Sequence, residues 1–182
     1  MRTEIRLAGN GGQGLILGGI VLAEAAGLHD MKHVVQSQVY GPESRGGASR
    51  ADVIISSEPV DYPKATVPHV LLIMSQEAYN KFGRGVRPDG ILLYDSDLVD
   101  VKPSEVRAVG LPLTRVAREE IGKVITANMI ALGAITELSG AVSREALEAA
   151  AEKRAPKGTS AMNLAAIRRG YDLASSAREG WQ

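Results

Sequence analysis

Three glycines near the start of the chain, Gly9, Gly11 and Gly14, follow the order G-x-G-x-x-G within Gly9-Asn10-Gly11-Gly12-Gln13-Gly14. Thr3 to Ala8, before them, alternates weakly in polarity as a strand does. Leu15 to Leu28, after them, carries apolar residues at helical spacing, with Ile16, Ile20 and Ala23 on one face and Leu17, Val21 and Leu28 beside it. A glycine turn between a strand and a helix can hold an anion. Glycine tolerates positive φ and close backbone approach, free N–H groups point at the ligand, and the helix dipole adds its positive end. The candidate phosphate-binding residues are therefore Gly9, Gly11, Gly12, Gln13 and Gly14, although the same glycines would also serve a tight turn that binds nothing. Gly18 and Gly19 extend the theme by letting the helix lie close to the sheet. A dinucleotide site would also place a carboxylate about 20 residues on, at the end of the second strand. That strand, Lys32 to Ser37, ends in Gln36 and Ser37, with Gln38 next, so the ribose ligand is missing.

A second stretch could also do chemistry. Gln38 to Arg50 is polar, glycine-rich and longer than a tight turn needs, the mark of a working loop. Arg45 and Arg50 in it are expected at the same sheet edge as the glycine turn, where guanidinium groups can grip a phosphate bidentately. They could equally pair with Glu43, Asp52 or a partner chain. Other polar residues suggest less. His29 and His33 are four apart but straddle a helix end and a strand start with no third ligand, so no metal site is expected. His69 reads as a hydrogen-bonded residue at a strand edge. Asp95 and Asp97 follow a strand, at a place where α/β folds put ligand contacts, but read rather as a solvated turn. Glu119 and Glu120 read as a solvated helix face. Ser49, Ser56 and Ser75 have no histidine base in context, and no catalytic residue is assigned.

The elements that must position these residues read as α/β: a three-layer α/β/α, Rossmann-like, mostly parallel sheet with C-terminal helices, in one domain over 1–182. Further strands are expected at Ala51–Ser56, Val70–Met74, Ile91–Tyr94 and Val106–Val109; the run Val-Leu-Leu-Ile-Met suits a buried parallel strand. Ser75 is a candidate cap for a short helix through Phe82, and Ser143 for one through Arg154. Thr126–Leu138 is apolar all round and should be buried. The last helix, Ser160 to Ala177, presents Leu164, Ile167, Tyr171 and Ala174, and Gly170 within it suggests close packing.

Composition narrows the function. Apolar residues make up 45% of the 182, enough for a full core, while aromatics make up 4%, so the core rests on aliphatic residues. Twenty-one basic residues balance 21 acidic ones, which argues against a general nucleic-acid binder. There is no cysteine, which excludes disulfides, thiolate zinc sites and cysteine-held iron–sulfur clusters. No signal peptide and no apolar run of membrane length is visible, so a cytoplasmic chain with no membrane partner is expected.

Gly-Asn-Gly-Gly-Gln-Gly, followed about 25 to 30 residues on by Tyr40-Gly41-Pro42-Glu43-Ser44-Arg45-Gly46-Gly47-Ala48-Ser49-Arg50 and a strand, resembles the gamma subunit or gamma domain of the 2-oxoacid:ferredoxin oxidoreductases. Ala127–Ala134 and Asn163–Tyr171 also look like segments of that family, so the resemblance covers nearly the whole chain. It implies an enzyme that decarboxylates a 2-oxoacid on thiamine diphosphate, passes electrons through iron–sulfur clusters toward ferredoxin, and yields an acyl-CoA. Thiamine diphosphate and the clusters would sit on alpha, beta or delta subunits. This chain would contribute to coenzyme A binding and to hetero-oligomer assembly, and would be inactive alone. The absence of cysteine and of a G-D-G…N thiamine signature agrees with that division. Which 2-oxoacid is used stays open. Two other readings also stay open: a stand-alone NAD(P)-binding reductase, and a scaffold subunit that binds no ligand.

Overall fold

The computed structural model describes residues 1–39, 47–102 and 106–180. Six strands form one sheet: β1 (Arg2–Asn10), β2 (His33–Val39), β3 (Ala48–Ser56), β4 (Val70–Ile73), β5 (Ile91–Asp95) and β6 (Arg107–Leu111). Their order is β2-β3-β1-β4-β5-β6. β1, β4, β5 and β6 are parallel neighbours, whereas β3 is antiparallel to both β1 and β2. The sheet is thus mostly parallel, as expected, with β3 alone reversed. This topology brings the carboxyl ends of β1, β2, β4, β5 and β6 to one edge. β3 starts on that edge too, because Ala48 pairs with Asn10 and Ser49 with Gly9.

The helices divide unequally between the two faces. α1 (Leu15–Glu24) widens into a π-helical turn at Ala25–His29. α3 (Leu113–Val116) widens likewise at Ala117–Ile121. With α4 (Ala127–Ser139), α5 (Arg144–Arg154) and α6 (Ser160–Glu179), they cover one face. α2 (Gln76–Phe82) covers the other, over a smaller core of Ala8, Leu71, Ile73, Ala78 and Leu92. The three layers are present, but one outer layer is thin. The polar half of that face is closed by buried charge. Arg6 donates to both oxygens of Asp52, at 2.7 and 3.1 Å, and to the Ala65 carbonyl at 3.0 Å. Glu4 accepts from the Thr66 amide at 2.9 Å, and His69 Nδ1 accepts from the Glu4 amide at 3.0 Å, the edge role expected of this histidine. The segment after β3 is thereby pinned across the sheet.

Several sequence expectations hold and some shift. Ser75 and Ser143 cap α2 and α5, accepting from Ala78 and Ala146 N–H. α4 is buried on nearly all sides. Gly170 is required by packing: a Cβ there would strike the Ile130 carbonyl, and one at Gly133 the Ile167 carbonyl, so α4 and α6 cross backbone to backbone. The inner face of α1, however, is Leu15, Gly18, Gly19, Val21 and Leu22 rather than Ile16, Ile20 and Ala23. Gly18 and Gly19 do let the helix lie close to the sheet, as expected, since a Cβ on Gly19 would come within 2.9 Å of Ala51. β3 begins three residues before the expected Ala51, since pairing with β1 continues to Asn10. Ser49 and Arg50 are therefore strand residues and not loop residues. Asp95 is fully buried and not a solvated turn: its carboxylate accepts from Thr114 N–H and Oγ–H and from Asp97 N–H. Glu119 and Glu120 are exposed, as expected, on a helical segment that opens at Leu113, ahead of them.

Candidate functional site

The glycine turn leaves β1 at the carboxyl edge and enters α1, as the sequence requires of an anion loop. Its four key glycines serve three different physical ends. A Cβ on Gly9 would strike the Gln13 side chain and come within 2.7 Å of Leu15, so this position is glycine for packing. Gly12 and Gly14 have φ of +89° and +74°, so they are glycine for conformation. Gly11 has neither constraint: its φ is not positive and a Cβ there meets nothing within 4 Å.

The turn is held from three sides. Gln13 spends its side chain on the backbone, Oε1 accepting from Asn10 N–H at 2.7 Å and Nε2 donating to the Met74 carbonyl at 2.8 Å. It ties the end of β1 to the end of β4. Asn128, a buried amide in α4, donates to the Gly14 carbonyl at 3.1 Å. The Gln13 N–H turns back to the Asn10 carbonyl and the Gly18 N–H to the Gly14 carbonyl, while among the described residues no acceptor takes the backbone N–H of Gly11, Gly12 or Gly14. The result is a loop tied down at several points that keeps backbone donors unspent.

Beside the loop lies a cavity of about 240 Å³ lined by Gly12, Gln13, Met74, Thr114, Val124 and Ile125. Val124 and Ile125, on a 3₁₀ turn, are half exposed. The site therefore sets amide donors next to an apolar wall, an arrangement that suits an anionic group on an uncharged chain. A larger cavity of about 540 Å³ lies under α2 between Tyr79, Arg84, Leu92, Lys102 and Val106. Leu92 and Val106 place it toward the amino ends of β5 and β6, the wrong edge for ligand binding in a parallel sheet.

Arg50 stands across from Ala8 and Val39 on the face that α2 covers. Its guanidinium lies 3.4 Å from Asp52 and 5.6 Å from the Phe82 ring centre, and its Nε is buried without a hydrogen-bond partner among the described residues. Arg50 thus shares the sheet edge with the glycine loop but points beneath α2. Arg45 and the rest of Tyr40–Gly46 lie outside the described residues. Sequence reasoning missed Asn128, Thr114 and Met74. Only Asn128 carried a signal, as the lone amide in an apolar helix.

A model of the pyruvate ferredoxin/flavodoxin oxidoreductase family matches residues 4–173. The chain belongs to that family. It is similar to 2-oxoglutarate synthase subunit KorC of Methanocaldococcus jannaschii, 49% identical over 96% of this chain and 95% of that protein. Among solved structures, the gamma subunit of the keto/oxoacid ferredoxin oxidoreductase from Geobacter sulfurreducens superposes with a TM-score of 0.90 at 44% identity, covering 97% of this chain and 98% of that one. The 2-oxoglutarate:ferredoxin oxidoreductase from Magnetococcus marinus, solved with 2-oxoglutarate, coenzyme A and succinyl-CoA bound, superposes with a TM-score of 0.79 at 28% identity, covering 96% of this chain and 31% of that one. The same fold thus stands as a separate gamma subunit in one enzyme and within a longer chain in the other. As an oxidoreductase gamma subunit, the chain places its glycine loop at the carboxyl edge of the sheet. No helix among the described residues is long and apolar enough to cross a membrane.

Proposed function

We propose that this gamma subunit binds part of coenzyme A with its glycine loop and joins alpha and beta (and, where present, delta) subunits in the oxidative decarboxylation of a 2-oxoacid, taken here as 2-oxoglutarate. The observation that carries the ligand reading is Gly11. Packing and backbone conformation both leave that position free for a side chain, and its surroundings are open. A ligand that approaches the backbone there accounts for the glycine. The backbone N–H groups of Gly11, Gly12 and Gly14 would hold a phosphate oxygen, and Val124 and Ile125 would border the uncharged remainder. Coenzyme A supplies the thiol that accepts the acyl group. This chain contributes orientation and charge, not the reacting atoms. The substrate reading rests on the relatives, since a chain 49% identical over nearly its whole length is a 2-oxoglutarate synthase subunit.

The division of labour is testable by reconstitution. The purified chain alone should show no 2-oxoacid-dependent reduction of ferredoxin, because it has no cysteine to hold a cluster. Adding the co-expressed partner subunits should restore it, with 2-oxoglutarate preferred over pyruvate. Turnover by the chain alone, free of added subunits, overturns the subunit reading. A preference for pyruvate overturns only the substrate.

A further inference from the structure

β2 forms one margin of the sheet, with β3 on its inner side and no strand beyond it among the described residues. A free edge offers unpaired N–H and C=O groups, and proteins blunt such edges with short strands, charge, proline or a bulge. The opposite margin follows that rule: β6 has five residues and opens on Arg107. β2 does not. It has seven residues, His33-Val34-Val35-Gln36-Ser37-Gln38-Val39, with no Lys, Arg, Asp, Glu or Pro. Its pairing with β3 runs without a bulge from His33 opposite Ser56 to Val39 opposite Arg50, so the edge is not twisted away.

The last five residues of β2, Val35-Gln36-Ser37-Gln38-Val39, read the same in both directions. A twofold axis lets any two identical strands pair antiparallel, with residue i facing j and j facing i; the palindrome adds that in this register every cross-strand pair is like with like. With the axis at Ser37, Ser37 faces Ser37, Gln36 faces Gln38 of the second copy, and Val35 faces Val39. Alternation sorts these pairs by face. The valines and serines fall on the α2 side, where Ser37 and Val39 sit opposite Asp52 and Arg50. The glutamines fall on the α1 side, where Gln36 lines a mostly apolar groove with Ile20, Ala23, Leu28 and Val34; the one carboxylate there, Glu24, is paired with Arg154. No like charges meet.

Two observations mark this edge as unfinished in the single chain. Gln36 has a buried amide nitrogen without a hydrogen-bond partner among the described residues, and Gln38 of a second copy would stand opposite it. Val39 is 48% and Leu28 56% exposed, and the groove of about 310 Å³ between α1 and β2 is open along the same margin. A second copy on β2 borders that groove and covers Val39. We propose that two copies of this chain associate through antiparallel pairing of their β2 strands about a twofold axis at Ser37. The two sheets then join into one, with the glycine loops at opposite ends. This inference does not depend on the coenzyme A reading.

The natural chain has no cysteine, so Ser37→Cys creates a single thiol. Residues opposite each other on antiparallel strands have Cα atoms about 4.5–5.5 Å apart, within the roughly 4.4–6.8 Å that a disulfide spans. Under mild oxidation the full-length Ser37→Cys chain should form a covalent dimer at least about tenfold faster than a Met31→Cys control, because pairing replaces a random encounter with a high effective concentration. Met31 is 82% exposed and lies outside the strand. In sedimentation at tens of micromolar (about the range where such pairing is read) the unmodified chain should be dimeric, and Gln38→Lys/Val39→Lys should be monomeric with unchanged far-UV circular dichroism. A monomeric unmodified chain, or equal cross-linking at positions 31 and 37, overturns the proposal. So does cross-linking at 37 that the co-purified subunits abolish, which would give the edge to another chain.

Discussion

At Gly11 and Gly14 the same residue type answers to different forces, and substitution separates them. Gly14 sits at φ +74°, and a Cβ there would strike the Asn128 amide, so Gly14→Ala must distort the turn. It should destabilise the fold by about 1–3 kcal/mol, the usual cost of an unfavourable backbone region. Gly11→Ala should change stability by less than about 0.5 kcal/mol, because it meets nothing. Urea titration of both variants checks the contrast, and equal losses would mean that the loop is uniformly constrained. The loop was legible in the sequence as a motif, but its division of labour was not. Spacing cannot tell a glycine needed for positive φ from one needed for open space. His69 yields a second residue-scale expectation. Burial, and then the Arg87 charge, hold its pKa below the ordinary 6.5. The unfolded chain therefore takes up the proton more readily, so this contribution to stability is complete above about pH 6.5 and declines as pH falls toward the lower folded value. The urea midpoint should drop between pH 7.5 and pH 5.5. His69→Asn, which can still accept from the Glu4 amide, should flatten that drop. Glu24 and Glu137, lowered chiefly by hydrogen bonds from Arg154 and Arg144, act in a separate window beginning near pH 4.5 and extending downward. An unchanged slope in His69→Asn would remove the histidine from the account.

Among the elements, the α4–α6 crossing and the β1–β3 pair each rest on a contact that tolerates no substitute. Gly170→Ala should gain about 1 kcal/mol of helix propensity in isolation. In place it should lose about 1–3 kcal/mol, since the added methyl meets the Ile130 carbonyl and the helices must part. A stabilised variant by thermal denaturation would show that the crossing is looser than described. Asp52→Asn leaves the Arg6 guanidinium, 7% exposed, without its counter-charge on a covered sheet face. A loss of about 3–5 kcal/mol is expected, as for other buried pairs broken on one side. A midpoint shift under about 1 kcal/mol would mean that water reaches the pair. These elements were unequally legible. The buried run Val70–Ile73, the capped helices and the wholly apolar α4 follow from local pattern alone. The inner face of α1 was legible only in part: Gly18 and Gly19 were expected against the sheet, but the residues beside them, Leu15, Val21 and Leu22 rather than Ile16, Ile20 and Ala23, are selected by packing on β3. The early start of β3 at Ala48 and the burial of Asp95 also depend on partners distant in sequence, Asn10 and Thr114.

For the whole molecule, the absence of cysteine agrees with the family match to an oxidoreductase gamma subunit, and the two faces of the sheet are unequally layered. Composition made the first legible, because clusters need ligands that the chain lacks. The second was not legible, since periodicity shows that a helix has an apolar face but not which side of the sheet receives it. The face under α2 alone carries the thinner core, whereas α1, α4, α5 and α6 share the thicker one. The family match places the chain among the 2-oxoacid oxidoreductases, and in the proposed reading the open backbone at Gly11 is this chain's part in the reaction. Gly11 is also the position at which that part can be removed without unfolding the domain, unlike Gly12, whose φ of +89° would strain any side chain. The direct measurement is steady-state kinetics of the assembled enzyme carrying Gly11→Val, with coenzyme A and 2-oxoglutarate varied in turn. The account predicts a KM for coenzyme A raised about tenfold or more, equivalent to about 1.4 kcal/mol, with the KM for 2-oxoglutarate and the subunit composition unchanged. An assembled variant with unaltered coenzyme A kinetics would contradict it and reduce the loop to a turn.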